Sequence, residues 1–539
     1  MASLPAHTDH AACAAAVRSR DPRFDGYFFT AVRTTGIYCR PSCPAMTPRA
    51  DRMTFFPTAA AAQGAGFRAC KRCRPDATPG SPAWHVRGDA VARAMRLVDD
   101  GVVEREGVSG LAARLGYSTR QLQRLTVAEL GAPPLALARA RRAQTARILI
   151  ETTAMAMADV AFAAGFSSIR SFNDTIRTVF ATTPLALRHS ATRGSQRAEA
   201  GPRAKGRADS DSAPISIDLR LPLRGPLHVP SLFGHLVATA VPGVESWSEG
   251  QLHLALRLPH GPGTVHLAPP SAPGHGTVLA TLRLTDLRDL TAAISRCRAL
   301  LDLDADPIAV DAHLREDAHL GRLVADMPGV RIPGSAEPQA LALRVILGQQ
   351  ISTARAADLG DRLTQALGDP LPLSMRTHGL THLFPTAVAV AGADDGDYPG
   401  MPGSRRRALR ATAEAIADGD LVLDAGADRE QTRARLLALP GVGPWTADMV
   451  LLRGLGDPDA WPSTDLGVRH GARAAGLPAK TALLNHHAQA WRPWRGYAAA
   501  LLWASSDHEA AGTRLGLAPL TAHATCKSPD AIPERRQAP

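Results

Sequence analysis

Apolar and polar positions alternate in three separate runs: Ile215, Ile217, Leu219, Leu221 and Leu223; Leu252, Leu254, Leu256 and Leu258; and Val278, Ala280, Leu282 and Leu284. A period of two marks strands with one buried face, so these runs predict an antiparallel sheet, with a helix near 232–240 laid on one face. Elsewhere the pattern is helical. From Gly88 to about His189 one plan occurs twice: an Ala-rich helix, a glycine turn, and a helix opening with Ser or Thr. The first copy runs through 109–118 into a basic helix over 119–130, the second through 157–166 into a helix over 167–180, and a long helix around 136–151 joins them. The chain is helical again from about Pro307 to Ser506, including an apolar helix over 339–348. A helix over 428–438 takes Asp428 as N-cap and Leu436 and Leu437 as its apolar face; Pro444 then suits the first turn of the next helix, which carries Met449, Val450, Leu451 and Leu452. Between them lies Leu439-Pro440-Gly441-Val442-Gly443. Residues 74–84 and 191–213 read as linkers and the tail after about Arg514 as disordered.

A chain of 539 residues is too long for one core and predicts three to five domains. Its formal charge of +11 is unevenly placed: residues 1–210 hold 30 Lys and Arg against 16 Asp and Glu, and the remainder holds 31 against 34. A basic N-terminal part suits contact with phosphates. His7, Asp9 and His10 interrupt any signal-like apolar start, and no apolar run reaches membrane-spanning length, so no membrane partner and a cytoplasmic, nucleoid-associated location are expected. There, clustered cysteines mean metal or reactivity rather than disulfides.

Four of the seven cysteines form two close pairs, Cys39-x3-Cys43 and Cys70-x2-Cys73. Four thiolates at such spacing make a tetrahedral zinc site, and spacing alone describes a purely structural zinc ribbon. The residues around them, 29–43 and 65–73, closely resemble the N-terminal domain of the Ada adaptive-response regulators. That resemblance implies that Cys39 is both a zinc ligand and an irreversible acceptor of a methyl group from a methylphosphotriester, with Cys43, Cys70 and Cys73 as the remaining ligands. Arg33, Arg40, Arg68, Lys71 and Arg72 would then meet phosphate, while Cys13, Cys297 and Cys526 have no partner pattern. The doubled helix-turn-helix, with Ala163-Ala164-Gly165-Phe166 and Phe180-x3-Pro184, resembles the AraC-type DNA-binding domain. Base readers are then expected among Arg120, Gln121, Gln123 and Arg124 of the first recognition helix and Ser168, Arg170 and Asn173 of the second. Such a pair can also be a protein-contact module; Arg139, Arg141, Arg142 and Arg147 argue for DNA.

The glycine turn is by itself an ordinary αα connection. Two glycines beside a helix N-terminus also leave backbone N–H groups that suit a phosphate, and Asp465 follows within Trp461-Pro462-Ser463-Thr464-Asp465. That pairing resembles the helix-hairpin-helix DNA glycosylases. It implies that Gly441 and Gly443 grip the DNA backbone and that Asp465 faces the extruded nucleotide. From the residues alone Asp465 also reads as a helix N-cap. Members that cut the strand carry lysine where Trp445 stands, and no lysine lies between Leu439 and Asp465, so the resemblance implies a monofunctional enzyme with no Schiff base. The sheet ahead of this domain resembles 3-methyladenine DNA glycosylase II of the AlkA type. Gln350, within Gly348-Gln349-Gln350-Ile351-Ser352, then falls in the loop that fills the gap left by the base, where a family member has leucine. Trp503 would line the base pocket with Trp445, Trp494 would be core, and Met449 and Leu466 replace two pocket tyrosines.

The expected architecture is multidomain and mainly α with α+β parts: a zinc methyl-acceptor domain (1–78), an AraC-type domain (85–190), a linker (191–213), an α+β subdomain (214–303), a helix-hairpin-helix domain (304–510) and a tail (511–539). The expected function is excision of alkylated purines from double-stranded DNA by a zinc-bearing, methyl-sensing activator that also meets RNA polymerase. No organic cofactor is expected. No cysteine is followed by His, so the alkylguanine transferase found in Ada is not expected. The competing reading is a lesion-sensing transcription factor with a catalytically weak glycosylase domain.

Overall fold

The computed structural model describes residues 8–20, 24–75, 90–153, 155–195, 214–270, 276–478 and 480–506. It opens with a helix, His10–Ser19, capped by the Asp9 side chain, and a four-stranded sheet ordered β3-β1-β2-β4, where β1 is Phe29–Val32, β2 Ile37–Cys39, β3 Met53–Phe56 and β4 Arg68–Ala69. Strand β2 pairs in parallel with β4 through Ile37↔Arg68 and Tyr38↔Ala69, which draws the two cysteine segments to one end of the sheet. Cys13 is buried beneath, packed with Phe28, Met53 and Phe55.

The helices of the second unit follow the sequence pattern closely because their stop and start signals are local. Gly107, at φ 70° and ψ −178°, breaks Val102–Leu115, so the first helix-turn-helix begins behind it. Gly116 (φ 76°) makes the turn, and Ser118 with Gln121 forms a capping box for Thr119–Leu130. In the second copy Gly165 (φ 84°) makes the turn after Met157–Ala163, and Ser168 caps Ile169–Phe180. The joining helix, Pro134–Thr152, carries the four arginines read as arguing for DNA, and their partners lie within the protein. Arg139 donates to Thr175, Arg141 pairs with Asp99, Arg142 with Glu104, and buried Arg147 with Glu151 while lying over Phe180. They hold the unit together. The last helix, Pro184–Ser195, extends into the expected linker; the rest of that linker, residues 76–89 and the tail lie outside the described residues.

The antiparallel sheet has five strands, ordered β5-β9-β8-β7-β6: β5 Ile215–Pro222, β6 Glu245–Ser248, β7 Gln251–Leu258, β8 Gly261–Ala268 and β9 Thr277–Leu284. The three alternating runs are β5, β7 and β9, although Ile215 is exposed rather than inward. Strands β6 and β8 were hidden by shortness and by Gly261-Pro262-Gly263. A helix, Val229–Ala238, lies between β5 and β6, and Phe233 meets Trp247 edge-on. The final helical unit surrounds a large core that includes Leu341, Leu436, Val450, Trp491 and Leu502; Leu437, expected to share the buried face of its helix, is exposed.

These units dock through a shared apolar core, which includes Tyr38, Leu149 and Leu219, and through arginines. The Arg224 guanidinium reaches the Asp25 carbonyl (2.6 Å), Arg93 and Arg96 donate to the carbonyls of Gly426 and Ala425 (2.6 Å each), and Arg114 pairs with Asp424 at 3.0 Å. Part of the basic excess of the N-terminal half therefore meets acidic residues and carbonyls of the other half.

Candidate active site

The hairpin is built as its residues dictate. Asp428 Oδ1 accepts from the Gln431 N–H at the start of Arg429–Ala438, and Pro444 opens Pro444–Met449. Gly441 has φ 76°, and a Cβ there would lie 2.7 Å from that of Ala408, so the fold itself demands glycine. Gly443 differs: φ is −98° and an added Cβ would meet nothing within 4 Å. Gln349 ties a second loop to this one, donating to the Gly441 carbonyl and the Thr446 hydroxyl at 3.0 Å each, while Arg405 donates to the Gln349 carbonyl. Its neighbour Gln350 stands exposed at φ 56°, an unusual conformation for a non-glycine residue.

Asp465 caps the helix Leu466–Ala474, its Oδ1 accepting from the Val468 N–H at 3.0 Å. It is also held by two indoles: Trp503 Nε1 donates to Oδ1 at 2.8 Å and Trp445 Nε1 to Oδ2 at 3.0 Å. Asp465 is thus both an N-cap and a half-buried carboxylate with three N–H donors. Gly467 permits this, since a Cβ there would sit 2.8 Å from Trp503 Cδ1. Trp503, expected to line the base pocket with Trp445, offers no open face. It is buried, its edge is turned to Asp465, and one face is stacked on His235 at 5.4 Å. Trp445 is only half-buried. Trp494 is core, against Tyr497; Met449 is buried and Leu466 is exposed.

At the other end of the chain the Sγ atoms of Cys39, Cys43, Cys70 and Cys73 lie within 4.8 Å of one another. Zn–S bonds of about 2.3 Å in a tetrahedron need sulfurs roughly 3.8 Å apart, so the set fits zinc. Hydrogen bonding to Cys43 and Cys73, together with burial, pushes the Cys39 thiol up, whereas hydrogen bonds from Cys39 and Cys73 pull Cys43 down to about 2. A bound divalent cation overrides this sharing by holding all four as thiolates. Cys70 and Cys73 are buried; Cys39 and Cys43 are partly open. Asp25 shapes the ligand loop, accepting from the Ser42 N–H (3.0 Å) and hydroxyl (2.6 Å) and pairing with Arg40 at 3.3 Å. Burial pushes the Asp25 carboxyl up against these contacts. Arg33, Arg68, Lys71 and Arg72 are exposed.

Known proteins share this combination. The chain matches the metal binding domain of Ada over residues 12–76, a helix-turn-helix domain over 111–190 and the AlkA N-terminal domain over 218–337. It is 52% identical, over 93% of its length and 97% of the relative's, to a probable bifunctional transcriptional activator/DNA repair enzyme AlkA of Mycobacterium tuberculosis. The chain belongs to this bifunctional family. Within it, the two halves have separate relatives. DNA-3-methyladenine glycosylase 2 of Escherichia coli is 32% identical over 50% of this chain and 92% of that enzyme. The bifunctional activator and repair enzyme Ada of Escherichia coli is 40% identical over 24% of this chain and 36% of that protein. The chain is a DNA glycosylase of the 3-methyladenine type joined to an Ada-type, zinc-bearing, DNA-binding regulator.

In the regulator half of this bifunctional chain, Arg120, Gln123 and Arg124 are exposed on the first recognition helix. Gln121 is not equally free: its Oε1 accepts from the Ser118 N–H (3.0 Å) and hydroxyl (2.8 Å). Ser168 likewise caps its helix through the Ser171 N–H at 3.2 Å, and Asn173 is half-buried. Arg170 is 93% exposed, its guanidinium 4.0 Å from Asp174. Three positioning residues were not foreseen: Gln349, His235 and Asp25. Only Gln349 had a signal in the sequence, its place beside Gln350.

Proposed function

We propose that Asp465 is the carboxylate that promotes loss of the alkylated purine. Breaking the bond between base and sugar builds positive charge on the sugar, and a fixed carboxylate stabilises it. The observation that carries the assignment is the Trp445, Trp503 and Val468 donor set, which holds both oxygens of a half-buried carboxylate beside the hairpin. A purine alkylated at N3 or N7 is already cationic and leaves without a general acid. Half-buried Trp445 is the indole with surface to offer such a base, worth ~1–2 kcal/mol in cation–π attraction, while Trp503 chiefly orients Asp465. Gly441 and Gly443 form the turn that receives a backbone phosphate, and Gln350 occupies the gap in the duplex. Extrusion costs a few kcal/mol and less at a weakened pair, which aids selection.

In the regulator half, Cys39 Sγ attacks the methyl carbon of a methylphosphotriester. An S–C bond forms, the C–O bond breaks with its electron pair, and a phosphodiester anion departs. Zinc supplies the thiolate at neutral pH. Partial exposure leaves Cys39 and Cys43, rather than buried Cys70 and Cys73, within reach of DNA, and the match to the Ada metal binding domain favours Cys39. Arg68 steers the phosphate, and Arg120, Arg124 and Arg170, with the amide N–H groups of Gln121, contact promoter DNA. Residues 1–78, 85–190, 214–303 and 304–510 divide this work. An activator bound to a promoter acts through RNA polymerase, and its DNA substrates imply residence at the nucleoid in the cytoplasm; among the described residues no helix is long and apolar enough to cross a membrane.

The test is methylated duplex incubated with the full chain. Free alkylated purine should appear, the abasic strand should stay whole, and borohydride should trap no adduct. A trapped enzyme–DNA adduct would overturn the lysine-free mechanism.

A further inference from the structure

A second group of ligand-type side chains lies on the five-stranded sheet. His253 on β7 and His266 on β8 are direct partners in the antiparallel register and both are buried. His378 joins them from the loop that follows Met375 in the helical unit, at φ 52° and exposed. The ring centroids form a triangle of 4.2, 4.8 and 5.0 Å, with His253 and His378 parallel within 2°. One ring nitrogen from each lies within 4.8 Å of one from each of the others, and the Nδ1 atoms of His253 and His266 are 2.5 Å apart.

Burying an imidazole costs free energy unless its nitrogens find partners. The Ser248 carbonyl, 3.1 Å from His253 Nε2, can only accept, so it selects the tautomer with a proton on Nε2. His253 Nδ1 then keeps its lone pair, which faces His266 Nδ1. A backbone carbonyl behind one nitrogen, leaving the lone pair on the other for the metal, is how imidazole ligands are oriented. The loop is held independently. The Ser246 hydroxyl donates to the His378 carbonyl (2.5 Å), the Thr381 N–H to the Gly243 carbonyl (2.7 Å), and Arg283 to the Ser374 carbonyl (2.7 Å). Ser248 Oγ backs two of the rings, at 2.9 Å from His253 Nε2 and 3.4 Å from His378 Nδ1.

We propose that His253, His266 and His378 bind a divalent transition-metal ion of the zinc, nickel or copper class, clamping the 376–382 loop onto the sheet. This site is independent of the cysteine cluster and of the proposed base-excision chemistry. Three metal–nitrogen bonds of about 2.0–2.1 Å at tetrahedral angles require nitrogens ~3.3 Å apart, and one ring nitrogen from each histidine lies within 4.8 Å of the others. Neutral imidazole suits these metals, whereas magnesium and calcium prefer oxygen, and among the described residues no carboxylate joins the group. The fourth position is left for water.

The experiment uses the full chain loaded with zinc and freed of excess, with metal counted by elemental analysis before and after a mercurial that displaces thiolate-bound metal. Wild type should hold two equivalents and keep one after the mercurial. His378→Ala, an exposed loop substitution that leaves the sheet intact, should hold one and keep none. X-ray absorption of mercurial-treated wild type, which needs no variant, should show a nitrogen shell without sulfur. One equivalent in wild type, lost entirely to the mercurial, would overturn the site, as would equal metal content in His378→Ala.

Discussion

Asp465 shows how one side chain serves local structure and chemistry together. As an N-cap it needs a single oxygen for the Val468 N–H; the second oxygen and the second donor on the first go to the two indoles. Removing one indole donor while keeping the ring separates these roles. Trp503→Phe should slow base release by about ten- to hundredfold, the ~1.5–3 kcal/mol of a hydrogen bond to a charged group, with DNA affinity unchanged in a binding titration. A second residue makes a pH prediction. Burial pushes Asp311 up to about 6, against the Gly329 N–H that donates to it at 2.9 Å. The folded chain therefore holds this proton more tightly than the unfolded chain, whose value is 3.8. Stability from Asp311 is present below that value and is lost as pH rises through about 6. Asp311→Asn keeps an oxygen for Gly329 and should raise Tm at pH 7.5 but not at pH 4.

At the scale of elements, the two hairpin glycines are required for different reasons. Gly441→Ala meets both a left-handed φ and the Ala408 side chain, and should destabilise the chain by ~1–3 kcal/mol in denaturant melts. Gly443→Ala should leave stability within about 0.5 kcal/mol yet weaken binding to DNA, since the space its methyl would fill is open in the protein alone. Such elements were legible in the sequence because their signals are local: Ser118, Asp428, Pro444, Gly116 and Gly165 each stand at the boundary they create. What stayed hidden depends on partners distant in sequence. Arg142 reads as a DNA contact until Glu104 is beside it, and His235 belongs to the α+β unit until its ring lies on Trp503. Strand β8 begins Gly-Pro-Gly and loses the alternation that revealed β5, β7 and β9. The helix-hairpin-helix geometry could be read from spacing, but the face each tryptophan presents could not.

Across the whole molecule, the regulator and the enzyme share surfaces but keep separate chemistries. Structural zinc sites contribute on the order of 10 kcal/mol to small domains, so Cys43→Ser should unfold the zinc unit, seen as lost methyl transfer, while base release continues. Zinc with four thiolates carries net charge −2 beside DNA phosphates, and methylation of Cys39 removes one negative charge. At ~6 Å and an effective dielectric of ~20–80 this relieves roughly 0.7–3 kcal/mol before screening, so the methylated chain should bind its promoter about threefold to a hundredfold more tightly, with the gain shrinking in salt. Equal promoter affinity before and after methylation would exclude a charge switch. The central claim, that this regulator carries a working glycosylase centred on Asp465, is tested most directly by single-turnover release of 3-methyladenine from methylated duplex by wild type and by Asp465→Asn, with affinity for abasic DNA measured alongside. Asp465→Asn should lose at least about a hundredfold in rate, ~3 kcal/mol of barrier, with affinity within about threefold of wild type. Release by Asp465→Asn at the wild-type rate would contradict it.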